Sequence, residues 1–114
     1  MEGCVFCRVG DGTAPARIVL EDEDIVAFHD MSPRAPVHVL VIPRRHIESL
    51  AHAGDEDRGV LATLLAAAAE VARRTGIAET GYRVVTNVGA GAGQSVLHLH
   101  LHVLGGRAMG WPPG

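Results

Sequence analysis

Three histidines occupy alternate positions near the end of the chain, at His98, His100 and His102, and leucine fills both gaps. Side chains alternate between the two faces of a β-strand, so a strand here would present all three imidazoles on one face, about 7 Å apart. The other face would be apolar: Leu99, Leu101 and Val103. Imidazole acts near neutral pH as a nucleophile, a proton donor or a metal ligand. The row therefore indicates a functional site rather than core packing.

His38 is a fourth candidate, because it is the only polar side chain in the apolar stretch VHVLVI. A buried polar group without a partner costs about 1–3 kcal/mol. His38 therefore either orients one of the three alternating histidines or is a core residue bonded to a backbone carbonyl. The sequence leaves both interpretations open.

A glycine-rich segment, NVGAGAGQS (87–95), ends three residues before His98. Glycines permit close backbone approaches, and exposed amides in such loops can face an anion. The spacing is not that of a dinucleotide-binding loop, and a strand rather than a helix is predicted to follow. The segment also offers neutral side-chain donors: Asn87, Gln94 and Ser95. It predicts an anion-binding loop or a flexible connection.

Cys4 and Cys7 have the spacing of half a tetrahedral zinc site. No thioredoxin-like pattern surrounds them, which makes a redox pair the weaker interpretation. The first residues lack the apolar core of a signal peptide, and no apolar run approaches the roughly 20 residues of a membrane span. We therefore expect a cytoplasmic protein with reduced thiols and no membrane partner.

Composition narrows the function classes further. A length of 114 residues suits one domain, and 47% hydrophobic with 20% charged residues is a globular balance. A net charge of -3 argues against a nucleic-acid partner. All ten basic residues are arginine, which excludes chemistry that needs a lysine, such as a P-loop or a Schiff base.

The elements that must position these residues follow from local patterns. Short apolar stretches bounded by turn residues predict strands at 17–21, 24–30, 37–43, 82–88 and 97–106. Apolar residues at helical spacing predict one long helix from Asp55 to Thr75, with Asp55 as its N-cap and Gly76 as a left-handed stop. We expect an α+β fold with the helix on one face of a five-stranded, mainly antiparallel sheet.

The motifs together resemble the histidine triad (HIT) superfamily, whose signature of alternating histidine and apolar residues is HLHLHVL here. AFHDMSPRAPVHVLVIPRRH, NVGAGAGQSVLHLHLHVLGG and the final WPPG are similar to its Hint branch of nucleoside phosphoramidate hydrolases. The resemblance covers nearly the whole chain and implies a single HIT domain over 1–114. It implies a HIT-like α+β fold that also has a short N-terminal helix.

The resemblance further implies a mechanism. His100 would attack the α-phosphorus of a purine nucleoside 5′-phosphoramidate, forming a nucleotidyl-histidine that water then hydrolyses. His102 would donate to a phosphate oxygen, and His98 and His38 would complete the catalytic set. Phosphate and leaving-group contacts would come from Asn87, Gly93, Gln94 and Ser95. Asp30 would accept from the ribose, and Phe28 and Met31 would contact the base, although Phe28 is also a candidate core residue.

No cofactor is implied for catalysis, but structural zinc is, held by Cys4, Cys7, His46 and His98. The resemblance implies a two-fold homodimer in which the sheets join and each tail reaches the partner's site. Two other functions stay open: hydrolysis of dinucleoside polyphosphates, as in the Fhit branch, and non-catalytic nucleotide binding or scaffolding.

Overall fold

A five-stranded sheet and two helices make up the fold in a computed structural model, which describes residues 3–114. The helices are α1 (Val5–Gly10) and α2 (Arg58–Arg74). The strands are β1 (Ile18–Glu21), β2 (Ile25–His29), β3 (Val37–Pro43), β4 (Tyr82–Val85) and β5 (Leu101–Gly105). They lie in the order β1-β2-β3-β5-β4, and all neighbours are antiparallel. The predicted α+β fold, with one long helix and a short N-terminal one, is confirmed.

Both faces of the sheet bury apolar side chains, which is why β2 and β3 are apolar except for His29 and His38. The larger cluster lies between the sheet and α2 and includes Ile25, Val39, Val41, Leu64, Val71, Leu99, Leu101 and Val103. A smaller cluster covers the other face beside α1 and contains Phe6, Val9, Val26, Phe28, Leu40 and Ile42. Leu40 pairs with His102, so His102 lies on the α1 face. Within residues 3–114, no helix is long and apolar enough to cross a membrane.

The long helix begins later than the sequence pattern predicts. Asp55–Asp57 forms a 3-10 turn, and α2 starts at Arg58 with Asp57 as its N-cap. The prediction that Asp55 caps the helix is wrong. Asp57 is the buried aspartate, and its Oδ2 accepts from the backbone N–H of Gly54 at 2.8 Å, which fixes the turn before the helix. Gly76 is left-handed, with φ of 79°, where the helix was predicted to stop.

The last predicted strand is shorter than expected, because β5 begins at Leu101 and leaves His98 and His100 outside it. The backbone N–H of Leu99 donates to the carbonyl of Ile47 in a loop, at 2.6 Å, instead of joining a strand ladder. The apolar residues between the histidines nevertheless share one face, since Leu99 packs with Leu101 and Val103 in the cluster beside α2. The strand predicted at 82–88 likewise ends early, at Val85.

Candidate active site

His98 and His100 lie beside Phe6 of α1. The ring of Phe6 packs edge-on against the ring of His100, with 5.2 Å between centroids, and also against His98 at 6.1 Å. The centroids of the His100 and His102 rings are 5.0 Å apart, closer than the predicted 7 Å. His98 is fully buried and His100 is only 6% exposed.

Hydrogen bonding fixes the tautomer of His100. Its Nδ1 lies 2.7 Å from the carbonyl oxygen of His98. Because a carbonyl only accepts, Nδ1 must carry the proton, and Nε2 of the neutral ring keeps a free lone pair. His100 therefore presents a nucleophilic nitrogen.

His38 belongs to a chain of hydrogen bonds that ends on His102. The backbone N–H of Arg34 donates to His38 Nδ1 at 3.0 Å, so the proton of the neutral ring is on Nε2. His38 Nε2 lies 2.8 Å from His102 Nδ1 and donates to it. The second nitrogen of His102 must then carry a proton and is left as a donor. His38 thus contacts one of the three histidines, which was one of its two predicted roles.

Burial keeps this histidine chain uncharged at neutral pH. Burial lowers the pKa of His102 to about 4, and the neighbouring His100 and His38 contribute in the same direction. Burial also lowers the pKa of His38, although the Asp30 carboxylate opposes this effect. Asp30 Oδ2 is 3.4 Å from His38 Nε2. The site thus offers neutral donors and lone pairs rather than cations.

The glycine-rich segment forms a hydrogen-bonded turn. Ala90–Ala92 forms a 3-10 turn, and Gly89 and Gly93 have φ of 80° and 86°. The Gln94 side chain braces the turn: its Oε1 accepts from Gly89 N–H, and its Nε2 donates to the carbonyls of Glu48 and Val96.

The predicted phosphate contacts of this segment fall into two groups. The backbone N–H of Gly93 donates to Ala90, and Gln94 has both amide hydrogens in backbone bonds, so neither donor is free in this conformation. Ser95 is exposed and Asn87 is half-buried, so both remain accessible to a ligand. Ser95 also lines a surface cavity of about 570 Å³ beside Cys4 and His46.

Phe28, Asp30 and Met31, which were predicted to contact the nucleoside, have different environments in the structure. Phe28 is 6% exposed and packs edge-on against Phe6, with 5.5 Å between ring centroids, which is the core role that the sequence left open. Asp30 accepts from the backbone N–H of Ser32 at 2.7 Å, and its other oxygen is the one near His38. Met31 is 98% exposed and free to contact a ligand.

Cys4, Cys7, His46 and His98 bring four ligand atoms within 4.8 Å of one another. Nδ1 of His98 lies 3.3 Å from the sulfur of Cys4, and Nδ1 of His46 lies 3.3 Å from the sulfur of Cys7. A tetrahedral zinc ion would separate sulfur and nitrogen ligands by about 3.6 Å. The spacing and the donor set therefore fit zinc.

The tautomer of His98 fits as well. Its Nε2 donates to the Pro43 carbonyl at 2.8 Å, which leaves the lone pair of Nδ1 facing the thiols. Without an ion, burial and the neighbouring Cys4 raise the pKa of the Cys7 thiol.

Two residues next to His100 were not predicted from the sequence. Phe6 gave only a weak signal, as an apolar residue inside the cysteine pair, yet it packs on the ring of His100. Thr86 donates its hydroxyl proton to the His100 carbonyl at 2.9 Å. The sequence around Thr86 gives no sign of this bond, because the residue it bonds to is 14 positions away in the chain.

The chain is similar in sequence and in overall structure to known proteins. The HIT domain family matches residues 11–109. An uncharacterized HIT-like protein of Synechocystis is 48% identical over 113 residues, which are 99% of this chain and 98% of the relative. The crystal structure of a HIT family hydrolase from Legionella pneumophila is 49% identical, with a TM-score of 0.94, covering 97% of this chain and 99% of that one.

A histidine triad protein from Clostridium difficile is 35% identical, with a TM-score of 0.93 over 96% of both chains. The family match spans most of the chain, and these relatives align over nearly their whole length. The fold that carries His98, His100 and His102 thus occurs in solved structures. This chain belongs to the HIT domain family.

Proposed function

We propose that the protein hydrolyses purine nucleoside 5′-phosphoramidates to nucleoside monophosphates through a nucleotidyl-histidine at His100. The observation that carries this proposal is the bond from His100 Nδ1 to the His98 carbonyl, which leaves Nε2 free to attack phosphorus. The similarity to a HIT family hydrolase supports hydrolysis. The P–N bond as its target comes from the sequence resemblance to the Hint branch.

In the first step, His100 Nε2 bonds to the α-phosphorus while the P–N bond to the amine breaks and the amine takes up a proton. The nucleotidyl ring is then cationic, and the His98 carbonyl stabilises it by accepting a hydrogen bond from its Nδ1–H. In the second step, water attacks the phosphorus, the bond from Nε2 to phosphorus breaks, and the nucleoside monophosphate leaves neutral His100. The proton that water loses passes to solvent and balances the one that the amine took from solvent in the first step.

His102 stabilises the phosphoryl group in both steps. Its free N–H, fixed by the bond from His38, would donate to a non-bridging oxygen whose charge grows in the transition state. Asn87 and Ser95 are the accessible candidates for phosphate and leaving-group contacts, Asp30 for the ribose and Met31 for the base. Gln94 and Gly93 contribute through the shape of the turn.

The test is incubation with adenosine 5′-phosphoramidate, following AMP by chromatography and the nucleotidyl-protein by intact mass after an alkaline denaturing quench, because the N–P bond of a nucleotidyl-histidine is labile in acid. Wild type should release AMP, and His100→Ala should neither release AMP nor form the adduct while still binding AMP. Activity should persist in EDTA. Loss of all activity in EDTA with the fold intact would contradict the proposal.

The same assay separates the alternatives. Faster cleavage of diadenosine polyphosphates than of the phosphoramidate would favour a dinucleoside polyphosphate hydrolase, since the same adduct would form with a nucleotide leaving group. Binding of AMP without any adduct or turnover would indicate a nucleotide-binding or scaffold protein.

Structural zinc is the second part of the proposal. Cys4, Cys7, His46 and His98 would hold the ion, and when bound it would brace α1 against the segment that carries His100. Metal analysis of purified protein should give one zinc per chain, and Cys7→Ser should lose it. Protein that never contains zinc, even after zinc is added, would remove this part. Because thiol ligands need a reducing compartment, we also propose a cytoplasmic location.

A two-fold homodimer completes the proposal. β4 is an edge strand of the sheet, and Trp111 in the C-terminal tail is 83% exposed, so both offer surface to a second copy. Sedimentation at several protein concentrations should show a dimer, and a monomer at all concentrations would contradict it. We also propose that residues 1–114 form a single HIT domain and that its ligands are purine nucleotides.

A further inference from the structure

The backbone of His100 lies just beyond the end of a strand ladder. The last pair between β4 and β5 is Val85 with His102. Continuing this register would place Thr86 opposite Leu101, but β4 has ended there and β5 has only begun. The peptide that carries His100 therefore receives no support from regular strand pairing on this side.

Two other hydrogen bonds hold the peptides on either side of His100. On one side the N–H of Leu99 donates to the Ile47 carbonyl at 2.6 Å. On the other side the half-buried Thr86 donates from Oγ1 to the His100 carbonyl at 2.9 Å. The Leu99 bond comes one residue before His100, so Thr86 is the group that holds the carbonyl of His100 itself.

We propose that Thr86 is a positioning residue for His100. This inference rests on the proposed function, in which Nε2 of His100 attacks phosphorus. The Thr86 hydroxyl fixes the His100 backbone, and the backbone sets where the ring sits relative to the His98 carbonyl that holds its Nδ1 proton. Without the hydroxyl, the ring samples positions in which Nδ1 no longer donates and Nε2 no longer points to phosphorus.

Thr86→Val tests this directly, because valine keeps the branched shape and removes only the hydroxyl. A misplacement of about 1 Å can slow a positioned reaction about 100-fold, so even a smaller shift of the ring should lower kcat for AMP release about tenfold. KM should stay unchanged, because Thr86 is not proposed to touch the nucleotide. Thr86→Ser restores the hydroxyl and should recover most of the lost kcat, which a purely steric role of Thr86 would not allow.

A spectroscopic readout makes the test independent of turnover. Nitrogen NMR of the imidazoles reports which nitrogen of His100 carries the proton. Wild type should show the proton on Nδ1, Thr86→Val should show a mixture of tautomers, and Thr86→Ser should resemble wild type. If wild type fails to release AMP, the proposed function fails, and the tautomer comparison still decides the role of Thr86.

Thr63→Val is the matched control. Thr63 donates to the Gly59 carbonyl within α2 at 3.0 Å, so the same chemical change is made away from His100, and kcat should not change. If Thr86→Val does not fold, Thr86→Ala compared with Thr86→Ser serves the same purpose. Wild-type kcat and an unchanged His100 tautomer in the variants without a hydroxyl would overturn the inference, as would a Thr86→Ser variant as slow as Thr86→Val.

Discussion

Lowering the pH from 7.5 to 5 should destabilise the metal-free protein through its buried histidines. Burial, with His100 and His38 adding to it, lowers the pKa of His102 to about 4 in the fold. In the unfolded chain the pKa returns to about 6.5. Below that value the unfolded state binds more protons than the folded state, so stability must fall as the pH falls.

The size of the effect follows from the two pKa values of His102. Their difference, about 2.5, corresponds to about 3.4 kcal/mol once the pH is below 4. At pH 5 the unfolded ring is almost fully protonated and the folded ring about one-tenth protonated, which gives about 2 kcal/mol. Solvent at the half-buried ring reduces this to about 1–2 kcal/mol. Burial lowers the pKa of His38 and His98 too, so both add in the same direction.

Urea unfolding at pH 7.5 and 5, at constant ionic strength and with chelator present, measures this loss. Ending at pH 5 keeps most carboxylates ionised, so they contribute little. His102→Asn should show a smaller difference between the two pH values, because the variant lacks one of the rings that only the unfolded state protonates. Equal stability of wild type at both pH values would refute the reasoning, and so would a variant that keeps the whole of the wild-type difference.

Three other changes have defined outcomes. His38→Leu removes the donor to His102 Nδ1 and should lower kcat for AMP release about 100-fold, whereas a wild-type rate would exclude the hydrogen-bond chain. Leu99→Ala empties a site that is 1% exposed, so urea unfolding should show a loss of about 2–5 kcal/mol. Asp57→Ala removes the acceptor of the Gly54 N–H and the carboxylate that pairs with Arg45, and should cost about 1–2 kcal/mol by the same method; no loss would contradict its role in fixing the turn before α2.

The parts of the fold that the sequence predicts are those with a local cause. β3 was predicted at 37–43 and spans Val37–Pro43, because both of its faces are buried and Pro43 follows the last apolar residue. The body of α2 follows from apolar residues at helical spacing, and Leu64 and Val71 of that set are buried against the sheet. The helix begins later than predicted, because its start depends on which acidic side chain accepts from the Gly54 N–H. Asp55, Glu56 and Asp57 follow one another, so the sequence does not show which of them does so.

The geometry around His100 has no local cause. Alternation of histidine and leucine predicts one continuous strand, but β5 starts only at Leu101, because Ile47 and Thr86 hold the preceding peptides. Both partners lie far from His100 in the chain, so no pattern within 97–106 contains them. The resemblance to a family can name the reactive histidine, but the two bonds that aim its ring appear only in three dimensions.

His98 links the cysteine cluster to His100, and its bonds bear on the expected effect of chelation. Nδ1 of His98 faces the thiols, but Nε2 donates to the Pro43 carbonyl at the end of β3. The second bond needs no metal and holds the ring against the sheet. The His98 carbonyl, which accepts from His100, is therefore held near its place when Nδ1 has no ion. Zinc would then add to stability, and AMP release should persist in EDTA at temperatures where the metal-free fold survives.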